Sequence, residues 1–104
     1  MDVSLLDKAC KQVINNQLEL FKNELEIELF LIDRSYVLNF LSRMEEEISQ
    51  KILGRFYSDQ LSKPQKDYLY HSVKKTKQTA RKKAIALVWE WWEEKMNNTG
   101  YVTI

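Results

Sequence analysis

Winding the first third of the chain at 100° per residue gathers its apolar positions into one wide arc. One edge of the arc holds Ala9, Val13, Leu20, Ile27 and Leu31; the other holds Ile14, Leu18, Phe21, Leu25, Leu29 and Ile32. The arc is about 200° wide, more than a helix packed on one flank needs. A first helix over about 4–32 is therefore expected to be either the central helix of a bundle or buried on two sides by a partner chain. Ser4 is expected to cap it, with Asp7 as the acid of a capping box.

The second pattern, over about 35–57, is narrower. Val37, Leu41, Met44, Ile48 and Ile52 form a single stripe at helical spacing, with Phe40 and Phe56 beside it. Asp33 or Ser35 can cap this helix. Glu45, Glu46 and Glu47 point about 100° apart, so they cannot converge on a metal and read as a solvated acidic face. Asp33-Arg34-Ser35 holds neither glycine nor proline, so the first two segments could instead be one long kinked helix.

The clearest interruption runs from Gly54 to Lys63. Ser62-Lys63-Pro64-Gln65 then reads as a helix start: a capping serine, a proline in the first turn, and a glutamine three residues after the cap. A third helix is expected over 63–97, about 50 Å long, so part of it should extend past its neighbours. Asn97-Asn98-Thr99-Gly100 is expected to stop it, leaving residues 98–104 as a short extended tail. The predicted fold is all-α: one domain over 1–104, a compact bundle of three main helices, the first or third open to a break.

Three faces emerge when the third helix is wound. Leu69, Val73, Ala80, Ala84, Leu87 and Trp91 share the face expected to meet the other helices, and Glu90, Glu93 and Glu94 lie roughly opposite. Between them runs a second stripe. It carries Lys74, Lys77 and Arg81, then Ile85, Trp89, Trp92 and Met96. With Lys75, Lys82 and Lys83, six basic residues fall within positions 74–83, where no acid occurs. Lysines often only lay their stems over apolar surface. Here they adjoin an apolar strip on a helix that already has a core face, and exposed apolar strips mark interaction sites.

Composition fits this picture. The 104 residues are 44% hydrophobic and 30% charged, the proportions of a globular protein. Two glycines and one proline leave little room for the turns of a β-sandwich or barrel. The net charge of +1 hides a polarity: residues 1–35 hold four basic and seven acidic side chains, residues 62–104 nine and four. Met1-Asp2-Val3 lacks the basic start of a signal peptide, and no apolar run is long enough to span a membrane, so a cytoplasmic location is expected.

Candidate chemistry is sparse. Cys10 is the sole cysteine, so no disulfide or cysteine zinc site can form within one chain, and it reads as a small buried thiol. His71, the sole histidine, has no metal-binding companion. Glu24 and Glu28 are spaced like one half of a di-metal carboxylate bundle, but the Glu-x-x-His elements are absent. No glycine-rich phosphate loop or nucleophile elbow occurs. No enzyme activity, cofactor or metal is expected.

In size, helix content and basic strip, the chain resembles the small all-helical subunits of CRISPR surveillance (Cascade-type) complexes. That resemblance implies a non-enzymatic subunit of a nucleoprotein assembly in antiviral defence. It implies Lys74, Lys77, Arg81, Lys82 and Lys83 at the nucleic acid, and the wide arc of the first helix and the Trp89/Trp92 edge against neighbouring subunits; Lys75 joins the nucleic-acid candidates from its place in the basic run. Read from the residues themselves, the basic strip suits sequence-independent phosphate contact, with Tyr68 and Tyr70 available to stack on bases. Ile85, Trp89, Trp92 and Met96 suit a protein partner or self-association. The alternative is a protein–protein module, such as a helical homo-oligomer, adaptor or small inhibitor, with no nucleic-acid role.

Overall fold

The computed structural model describes residues 1–27 and 33–99, and the side chains of 1–26 and 33–95. Three helices form: α1 (Val3–Ile27), α2 (Arg34–Phe56) and α3 (Lys63–Thr99). Each packs against both others, so no helix is central, and the bundle measures 61 × 22 × 17 Å. Phe21 stacks on Phe40 and Glu24 meets Tyr36, so α1 and α2 run antiparallel. Arg81 reaches Glu45 while Tyr70 lies against Tyr57, so α2 and α3 are antiparallel too.

Capping explains where the helices begin. Asp2, not Ser4, caps α1: its Oδ1 accepts from Ser4 N at 2.9 Å and Leu5 N at 3.3 Å. Asp33 caps α2, accepting from Tyr36 N at 2.8 Å on extended backbone. That cap makes α2 a separate helix rather than the continuation of a kinked one. The expected box starts α3: Ser62 N donates to Gln65 Oε1 and Gln65 N donates to Ser62 Oγ.

Helix ends differ from expectation in two places. Helix α2 runs through Gly54 to Phe56, so the true interruption is Tyr57–Ser62. A glycine inside a helix costs conformational entropy without stopping it when tertiary packing holds both sides. Helix α3 continues to Thr99, past the asparagines expected to end it. The expected extension of the first helix over 28–32 and the end of the tail, 100–104, lie outside the described residues.

The core is one cluster. Leu6, Cys10, Ile14, Phe21 and Leu25 come from α1; Phe40, Leu41, Met44, Ile48 and Ile52 from α2; Leu69, Val73, Ala80 and Ala84 from α3. The stripe forecast for α2 is the buried one, with Val37 and Phe56 half-buried at its ends. Both edges of the α1 arc reach the core among the described residues: Ile14, Phe21 and Leu25 are buried on one and Ala9 on the other, where Val13 is half-buried and Leu20 is 54% exposed. Leu6 and Cys10, left out of the forecast arc, are buried as well. Among the described residues no helix is long and apolar enough to cross a membrane.

Two substitutions test this packing. Phe21→Ala should cost about 3–5 kcal/mol and Leu20→Ala under about 0.5, read from chemical denaturation midpoints. Gly54→Ala should raise stability by about 0.5–1 kcal/mol, because a Cβ there meets nothing within 4 Å.

Candidate functional site

The solvent side of α3 carries both features singled out from sequence. Its core side is lined by Leu69, Val73, Thr76, Ala80 and Ala84, all buried. Thr76 satisfies its buried hydroxyl by donating to the Ser72 carbonyl at 2.7 Å. Small residues at this seam let α1 and α2 approach closely, and the rest of the α3 circumference is left to water.

Charge along α3 is strongly segregated. Residues 63–83 hold eight basic side chains and one acid, whereas residues 84–95 hold three glutamates and one lysine. No acid lies in the first turn and no base in the last. The macrodipole acts only over those end turns, so it does not account for the lysines at 74–83 or the glutamates at 90–94.

The six basic candidates do not form one face. Arg81 turns toward α2 and pairs with Glu45 at 3.3 Å, with about half of its side chain exposed. Glu45 is half-buried, so one of the three glutamates expected to be solvated is instead an interhelical partner, while Glu46 and Glu47 remain exposed. Lys77, one turn before Arg81, shares that flank and is half-buried. Lys75 and Lys83 line a groove between α1 and α3 with Asp7, Lys11 and His71. Lys74, Lys75, Lys82 and Lys83 are all exposed and make no ion pair among the described residues.

The aromatic candidates also separate. Tyr68 joins the α1/α3 groove, whereas Tyr70 lies 6.2 Å from Tyr57 at the opposite flank, so the two do not form one stacking platform. The Tyr57 hydroxyl donates to Asp59 at 3.1 Å, and that carboxylate raises the phenol's pKa. Lys66 sits 5.7 Å over the Tyr57 ring.

Toward its C-terminus, α3 forms an apolar groove with the start of α2. The groove holds about 660 Å³ and is walled by Val37, Leu38 and Leu41 on one side and Ile85, Val88, Trp89, Trp91 and Trp92 on the other. Trp91 packs on the core, half-buried, and its buried Nε1–H finds no acceptor among the described residues. Trp89 is 63% exposed, Trp92 49%, Leu38 42% and Ile85 38%. The indoles are thus surface residues. Leu38 was missed from sequence because it falls beside the α2 core stripe rather than on it. Met96's side chain lies outside the described residues.

The remaining candidates are structural. Cys10 is a buried free thiol and His71 is exposed. Glu24 accepts from the Tyr36 hydroxyl at 2.7 Å and lies 3.9 Å from Arg43, tying α1 to α2; Glu28 is outside the described residues. Among the described residues no group of three His, Cys, Asp or Glu side chains could hold a metal.

The Arg81–Glu45 pair is solvent-accessible, so its coupling should be small. A double-mutant cycle with Arg81→Met and Glu45→Gln should return about 0.2–1 kcal/mol at low salt and less at high salt. Compared with protein families, curated proteins and solved structures, the chain matches none of them.

Proposed function

We propose that this protein is a non-enzymatic, all-helical binding subunit that works inside a larger nucleoprotein assembly. The observation that carries this reading is that four lysines of one α3 segment, Lys74, Lys75, Lys82 and Lys83, are exposed and make no ion pair among the described residues. Uncompensated lysines on a rigid rod suit a polyanion's backbone, where binding releases counterions and reads no sequence. Arg81 and Lys77 play a lesser part than their position in the basic run implies, because Arg81 already serves Glu45. The indole half of α3 takes neighbouring protein subunits. This is the division of labour implied by the resemblance to small subunits of CRISPR surveillance complexes.

A protein-only module is the competing reading, favoured by the Trp89/Trp92 groove. Electrophoretic mobility shift of labelled single- and double-stranded nucleic acid across a salt series separates the two. The nucleic-acid reading expects affinity that falls steeply with salt. Lys74→Glu with Lys75→Glu should then weaken binding at least about tenfold at low salt and flatten the log–log slope by about 2. Binding absent at low salt, or untouched by the double reversal, sinks this reading in favour of the protein-only one.

A further inference from the structure

Helix α3 presents one continuous exposed strip in which charge changes sign about an apolar middle. Lys74, Arg81 and Lys82 lie on its N-terminal side, Ile85, Trp89 and Trp92 at the middle and beyond, and Glu93 on its C-terminal edge. We propose that this strip is a docking surface for a second copy of the same chain, the two α3 helices crossing antiparallel about a two-fold axis near Leu87 and Val88.

The argument is self-complementarity. A two-fold interface sets a patch against itself, so residue i meets residue j and j meets i. Winding α3 at 100° per residue puts Lys82 and Glu93 on the same edge of the strip, about 20° apart. In an antiparallel pair related by such an axis, like edges meet. With the axis midway between residues 82 and 93, Lys82 of each copy faces Glu93 of the other. Ile85 then lies opposite the level of Trp89 and Glu90, and Trp92 opposite the level of Lys83, where Arg81 and Ile85 share its edge of the strip. A parallel pairing would set lysine on lysine and glutamate on glutamate at every level. Leu38 and Val37, from α2, widen the apolar patch on the other edge.

The indoles supply the affinity. Trp89 and Trp92 together expose on the order of 200–300 Å² of side chain, and tryptophan is the residue most enriched at interaction hot spots. Lys74 and Lys75 stand about 20 Å from the proposed axis, at the far ends of the overlap. They stay open to other ligands, whereas Lys82 is taken up by Glu93 of the second copy, so in the dimer the polyanion reading rests on Lys74, Lys75 and Lys83. The proposal identifies the neighbour taken by the indole half in the function above, yet it requires no nucleic acid.

Sedimentation equilibrium of the full chain without nucleic acid tests it. The expected species is a dimer with a micromolar dissociation constant. Trp89→Glu should weaken it at least about tenfold while leaving the helical circular dichroism unchanged, because that side chain is mostly in water. Lys82→Glu and Glu93→Lys should each weaken the homodimer, since each sets like charges together twice. Mixing the two variants should restore association, because both contacts in the mixed dimer are again opposite in charge. A monomer at about 100 μM, a dimer indifferent to Trp89→Glu, or singles that fail to rescue one another would overturn the proposal. Absence of nucleic-acid binding by the unmodified chain, with an intact dimer, would count against the polyanion reading alone.

Discussion

The close seam along α3 sets the geometry of everything else. Val73, Thr76, Ala80 and Ala84 are buried there and are small, so the bulk of the core must come from the other two helices. It does: Phe21 from α1 and Leu41, Met44, Ile48 and Ile52 from α2 are each almost wholly buried, and Phe40 stacks on Phe21 at 4.3 Å. Interaxial distance follows side-chain size at the contact. Small residues on α3 with large ones on α1 and α2 give a tight three-helix core without overpacking.

The same seam decides what is left for the surface. Two neighbours cover only about half of a helix's circumference, and at 37 residues α3 outruns both α1 and α2. Its remaining face is long, with Lys74, Lys82, Ile85, Trp89 and Trp92 exposed along it. Placing lysines along one part of that face and tryptophans along the other does not help the bundle fold. Lys74, Lys75, Lys82 and Lys83 are exposed, and the indoles of Trp89 and Trp92 are too exposed to add much to the core. Surface features with no folding role motivate the binding proposed above, and the sign change along the strip would give that binding a direction.

Much of the fold was legible from periodicity and capping chemistry, because both are local. The α2 stripe of Leu41, Met44, Ile48 and Ile52 and the α3 face of Leu69, Val73, Ala80 and Ala84 are the buried ones. Ser62 and Gln65 cap as their spacing requires. Where local signals compete, the sequence was ambiguous. Asp2 and Ser4 are both good caps, and only the chain's path selects Asp2. Gly54 reads as a stop, yet Ile52, Leu53 and Phe56 are packed on either side of it and carry the helix through.

The helices, and the faces that α2 and α3 bury, follow from local chemistry, because a 3.6-residue period and a side-chain cap depend on neighbours within a turn. The basic and indole halves of α3 are likewise plain in the order of residues. Which of those residues face water depends on packing. Arg81 lost its independence to Glu45, 36 residues earlier, while Lys75 and Lys83 line the groove on the α1 side. Leu38 joined Trp89 and Trp92 in one groove because α2 begins where α3 turns aromatic. These pairings join positions far apart in the chain, and the packing of three helices around small residues on α3 fixes them.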